Sequence, residues 1–91
     1  MNDKQTPRIA PSLIWREVDD NSVIVTPQSG KMRVLNGVGS TIWRLLTEEQ
    51  PIAAIAEQVT AQYNVSLEQA QSDLSHFLDD LTARGLLEWG E

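Results

Sequence analysis

Lys31-Met32-Arg33-Val34-Leu35-Asn36-Gly37-Val38-Gly39-Ser40-Thr41-Ile42-Trp43-Arg44-Leu45-Leu46 is the stretch in which the period of the sequence changes. Up to Leu35, polar and apolar residues alternate, as they do along a strand near the edge of a sheet. Beyond Asn36, the residues Val38, Ile42, Leu45 and Leu46 fall on one face of a helix, with Asn36 or Ser40 placed to cap its start and an end near Thr47. A strand that runs straight into a helix makes this a mixed domain. The rest of the chain extends it on both sides.

Toward the N-terminus, Ser22-Val23-Ile24-Val25-Thr26 is β-branched and apolar on both faces, which suits the middle strand of a meander. Pro27-Gln28-Ser29-Gly30 separates it from Lys31 by turn chemistry, and Asp19-Asp20-Asn21 does the same on its other side, after a further strand over residues 12–18. Residues 1–11, polar and carrying Pro7 and Pro11, are expected to be a flexible tail, leaving residues 12–91 as a single domain. Toward the C-terminus, Pro51 suits a first helical position, and Ile52, Ile55, Ala56, Val59 and Tyr63 make a second helical stripe ending at Asn64. Ser66-x-x-Gln69 has the form of a capping box. It opens a third and longest helix marked by Leu67, Ala70, Leu74, Phe77, Leu78 and Leu81 and stopped by Gly85. Leu86-Leu87-Glu88-Trp89 is a short apolar segment suited to a final strand or to covering an open sheet edge. The expected class is α+β and winged-helix-like, with a three-stranded antiparallel sheet followed by three helices.

Composition narrows the function. The 91 residues carry a net charge of −6, no cysteine and one histidine, so disulfides, thiolate chemistry and a multi-histidine metal site are excluded for this chain alone. A chain of this length buries roughly 60–65% of its unfolded surface, enough for a thin core but not for an elaborate active-site cavity. There is no signal-like apolar segment at the start and no run long enough to span a bilayer, which gives the expectation of a cytoplasmic protein without a membrane partner. The charge is divided: residues 1–46 hold six basic and four acidic side chains, whereas residues 47–91 hold nine acidic ones and Arg84 alone.

Catalytic constellations are weak. Glu48-Glu49 and Asp79-Asp80 are adjacent carboxylates that a helix would point about 100° apart, into solvent. His76 has no nucleophile motif beside it, and Gly37-Val38-Gly39 lacks the rest of a phosphate-binding loop. No enzyme activity and no cofactor are expected. A winged-helix-like plan raises the alternative of a DNA-binding transcriptional regulator, but residues 66–84 would place Glu68, Asp73, Asp79 and Asp80 against phosphate with only Arg84 to offset them, so nucleic acid is not expected as a partner. Peptide binding remains: an unpaired edge strand offers a row of N–H and C=O groups on which an extended guest adds a further strand.

Three segments in this order, Leu35-Asn36-Gly37-Val38-Gly39-Ser40-Thr41-Ile42-Trp43, Ile55-Ala56-x-x-Val59-x-x-x-Tyr63 and Asp73-Leu74-x-x-Phe77-Leu78-x-x-Leu81-x-x-x-Gly85, resemble the PqqD-like family over about Leu13 to Trp89. The resemblance implies a non-catalytic peptide chaperone. Such a protein binds the leader segment of a ribosomally made precursor peptide by strand addition and presents it to a maturation enzyme, such as a radical S-adenosylmethionine enzyme or a leader peptidase. Carried onto this chain, the peptide site implied by the resemblance is Lys31, Met32, Arg33, Val34 and Leu35 on the strand, with Asp73, His76, Phe77 and Asp80 on the third helix. Lys31 and Arg33 would then attract acidic residues of the guest.

Overall fold

The computed structural model describes residues 7–89. Its elements in chain order are β1 (Arg8–Ile9), β2 (Ile14–Val18), β3 (Asn21–Thr26), β4 (Lys31–Leu35), α1 (Gly37–Thr47), α2 (Ile52–Tyr63), α3 (Leu67–Ala83) and β5 (Leu87–Glu88). Strands β2, β3 and β4 form an antiparallel sheet in that order, and β1 pairs with β5 in a separate two-stranded ladder. The α+β plan of three strands followed by three helices is the one the periodicities predict.

Asp19 and Asp20 both adopt positive φ, 50° and 68°, so β2 and β3 are joined by a two-residue turn of the mirror-image type that matches sheet twist. Such a turn makes its flanking residues, Val18 and Asn21, a hydrogen-bonded pair. The alternation of an antiparallel ladder then turns the main-chain groups of Val23 and Val25 toward β2 and those of Ser22, Ile24 and Thr26 toward β4. By register, Leu35, Arg33 and Lys31 receive the latter bonds.

The helices cover one face of the sheet. Ile24 and Leu35 point into a core shared with Ile42, Trp43 and Leu46 of α1, Ile55 and Val59 of α2, and Leu74, Leu78 and Leu81 of α3. Burying each such aliphatic side chain contributes about 1.5–3 kcal/mol. Trp43 is wholly enclosed and meets Trp15 edge to face, with centroids 6.3 Å apart and planes at 83°. Ser22 and Ser40, both buried, satisfy one another through a 2.8 Å hydroxyl contact. Ser40 is thus a tie from α1 to the sheet rather than a cap, while Asn36 occupies the cap position without a side-chain bond. Pro51 likewise sits at the cap of α2, one residue before the position expected of it.

Ser66 Oγ accepts from the Gln69 N–H at 3.1 Å, completing half of the capping box, but the Gln69 amide turns onward to Asp73 instead of back. At the other end of α3, Gly85 at φ 77° donates to the Thr82 carbonyl and the Leu86 N–H to the Leu81 carbonyl, a Schellman stop. Buried Leu86 and Leu87 then lead the chain into β5.

Three expectations need correction. Residues 7–11 are not a loose tail: Pro7 and Ala10 are buried, Arg8 and Ile9 pair with Glu88 and Leu87, and the Ala10 N–H donates to the Leu86 carbonyl at 3.1 Å. The polar composition of the segment hid this, because two residues are too few for a period and the partner strand lies at the far end of the chain. Residues 1–6, also assigned to that tail, lie outside the described residues. The segment at Leu86–Trp89 does form a strand, but it pairs with β1 and leaves the outer edge of β4 open among the described residues. Strand β2 also begins at Ile14, two residues later than expected.

Burial of Ala10 gives a direct check. Ala10→Asp, harmless in a solvated tail, should cost about 2–4 kcal/mol here, because an unpaired carboxylate would enter the packed seam between β1 and Leu86. A urea unfolding midpoint unchanged from that of the parent would refute the placement of this segment.

Candidate functional site

Strand β4 is five residues long, and its side chains alternate between two environments. Leu35 is buried and Arg33 half-buried on the helical side, whereas Met32 and Val34 are 68% and 54% exposed on the opposite face. Because Lys31, Arg33 and Leu35 spend their main-chain bonds on β3, the N–H and C=O groups of Met32 and Val34 point away from the sheet. The edge is therefore a short, ordered row of donors and acceptors.

Helix α3 runs beside that edge. Asp73, Phe77, Asp80 and Arg84 recur at spacings of four, three and four, which places them within one stripe of the helical surface. Between this stripe and β4 lie two open hollows of different chemistry. The first, about 530 Å³, is bordered by Ile24, Thr26, Lys31, Arg33 and Arg84. The second, about 370 Å³, is bordered by Leu35, Val38, Ile42 and Phe77, with Asp73 at its rim. Gly39 belongs to the second hollow, and a Cβ built on it would lie 3.4 Å from the Phe77 ring.

An ion pair crosses the groove between the two hollows. Arg33 Nη2 donates to Asp80 Oδ2 at 2.7 Å, and Arg84 Nε donates to Asp80 Oδ1 at 3.1 Å from the next turn of the helix. The carboxylate is 41% exposed and the two cations 31% and 56%, so each pair contributes at most about 1 kcal/mol to stability. Its effect is geometric. It holds the Arg33 guanidinium across the groove, with Arg33 Nε buried and unpaired.

The structure thus gathers Lys31, Arg33, Leu35, Asp73 and Phe77 around the two hollows and Asp80 on the ion pair between them; Met32 and Val34 also border the hollows, while strand alternation turns their exposed side chains to the outer face. His76 is exposed and borders neither hollow, being turned about 70° from the centre of the stripe. Sequence reasoning omitted Arg84, whose signal was its spacing of four from Asp80, and Val38 and Ile42, which read simply as core of α1. Arg33 is also engaged with Asp80 rather than waiting for a guest charge.

Helix α3 carries four carboxylates and no Lys or Arg between Leu67 and Ala83, the reverse of what a groove-reading helix presents to DNA. Among the described residues, no three His, Asp or Glu side chains gather as metal ligands, and no helix is long and apolar enough to cross a membrane.

Known proteins share this fold. A chain in the solved structure of TbiB1 in complex with the TbiA(beta) leader peptide is 33% identical to this one, covers 89% of it with 94% of its own length, and superposes with a TM-score of 0.86. Lasso peptide synthetase B1, complexed with the leader peptide, shares the fold at 23% identity and a TM-score of 0.84, over 91% of this chain and 98% of its own. No curated protein matches the sequence significantly. The family model described as Coenzyme PQQ synthesis protein D (PqqD) matches residues 21–87, and with most of its length so covered the chain belongs to the PqqD family.

Proposed function

We propose that this protein is a leader-peptide recognition element: it binds the leader segment of a ribosomally made precursor peptide as an added strand on β4 and presents the remainder to a separate maturation enzyme. The observation that carries this reading is the open edge of β4, where Met32 and Val34 aim their main-chain groups outward along a groove walled by α3. Main-chain pairing supplies affinity to an extended guest, and the two hollows supply side-chain selection. The relative 33% identical over most of both chains is a protein solved with a leader peptide, which supports the same use of the fold.

The chain's part in maturation is binding. Among the described residues nothing in the groove pairs a nucleophile with a base, and the carboxylate between its two hollows, Asp80, is committed to two arginines. Chemistry on the precursor falls to a partner enzyme, of the radical S-adenosylmethionine or leader-peptidase kind, acting on the segment that extends beyond the groove.

Val34→Pro tests the mode of binding. It removes an N–H that points to the guest and is not used by β3, so the sheet and helices should persist in circular dichroism while affinity for the cognate precursor leader falls at least about tenfold. Arg33→Pro removes a bond to β3 and should damage the fold itself. Calorimetric titration showing Val34→Pro to bind as tightly as the parent would remove strand addition at this edge.

Gly39→Ala should separate stability from binding. Within α1 the change favours helix by about 0.5–1 kcal/mol, and the new methyl meets Phe77 at ordinary contact distance. The same methyl narrows the apolar hollow. The expected result is a higher melting temperature with weaker leader binding; a variant that melts higher and binds unchanged would place the guest away from Phe77.

A further inference from the structure

The two hollows differ in charge as well as in polarity. Three of the chain's seven Lys and Arg residues, Lys31, Arg33 and Arg84, border the first hollow of an otherwise acidic protein, with Asp80 as their carboxylate partner there. Asp80 neutralises only part of that charge, and Lys31 has no salt bridge among the described residues. The second hollow is apolar, and its rim carries Asp73, which opposes a second carboxylate. Lys31 and Leu35, the strand residues of the two hollows, are four positions apart on the same face of β4.

We infer that the groove selects its guest by polarity: an apolar side chain opposite Leu35 and, four residues later in the guest, a carboxylate opposite Lys31. This rests on the leader-binding reading and deepens it by naming the side chains the guest must carry. A strand bonded to Met32 and Val34 places its residues opposite Lys31, Arg33 and Leu35 with their side chains on the groove side, at alternate positions. Every pairing in this structure is antiparallel, and an antiparallel guest runs from the Leu35 end toward Lys31. The apolar residue therefore comes first and the acid second. The guest residue between them faces Arg33, whose charge Asp80 already balances, so it carries no charge. Lys31 and Arg84 are the specificity-determining residues of this scheme, and Asp73 rejects the reverse order.

The test titrates the full-length ¹⁵N-labelled chain with short Thr-rich peptides carrying Leu and Glu in this order and spacing, Leu and Lys at the same positions, or Glu and Leu with the order reversed. The first should bind about tenfold tighter than the other two, reading the amide shifts of Met32 and Val34. Lys31→Glu should invert the preference toward the Leu and Lys peptide, and Arg84→Ala should reduce it, outcomes that loss of a merely structural residue does not produce. Equal affinities for the three peptides, or no binding of the first at millimolar concentration while the cognate leader still shifts Met32 and Val34, would overturn the polarity rule alone. If the cognate leader also leaves those amides unmoved, the leader-binding reading fails with it.

Discussion

Alternation along Lys31–Leu35 is the constraint on which the site depends. In an extended strand the side chains alternate between faces, and in an antiparallel ladder the main-chain groups alternate between neighbours. Once Leu35 is buried against α1 and α3, Arg33 must also face the helices, and Met32 and Val34 must face away. The two-residue turn at Asp19-Asp20 fixes the remaining freedom, because it decides which residues of β3 bond to β4 and hence which residues of β4 are left unbonded. A shift of one residue in register would bury Val34, turn Arg33 out and move the outward-facing main-chain groups from Met32 and Val34 to Lys31, Arg33 and Leu35.

The helices meet this edge without covering it. Core contacts come from Leu74, Leu78 and Leu81 of α3, while the adjacent stripe of Asp73, Phe77, Asp80 and Arg84 stands off from β4 and is bridged to it by the Arg33–Asp80 pair. A natural sheet normally guards such an edge with charge, a bulge or a covering segment. Here Lys31 gives charge at one end, and the apolar segment Leu86–Trp89, which could have covered the strand, is held elsewhere by β1. The β1 to β5 ladder thus holds Leu87 and Glu88 on Ile9 and Arg8 rather than on β4.

The three strands of the main sheet and the three helices were legible because each carries enough residues to show a period, and because Asp19-Asp20, Ser66 and Gly85 act through local chemistry. The site was legible in outline, since the strand that changes into a helix at Asn36 is also the edge strand. Arg8–Ile9 escaped because a two-residue strand has no period and its stability comes from a partner about eighty positions away. The pairing of Arg33 with Asp80 escaped for the same reason: it joins residues 47 apart and depends on where α3 crosses the sheet. His76 was among the helix residues implied by the family resemblance, whereas the helix turns it out of the stripe. Arg84 was within reach of spacing alone, but it was weighed only as the single cation of residues 66–84.

Hydrogen exchange at single amides tests the central claim most directly. In the free chain the amides of Arg33 and Leu35 should exchange slowly because β3 holds them, and those of Met32 and Val34 quickly because they face solvent. Saturation with the cognate precursor leader should slow Met32 and Val34 to the range of their neighbours and leave Arg33 and Leu35 little changed. Fast exchange persisting at both Met32 and Val34 in the saturated complex would contradict strand addition on β4.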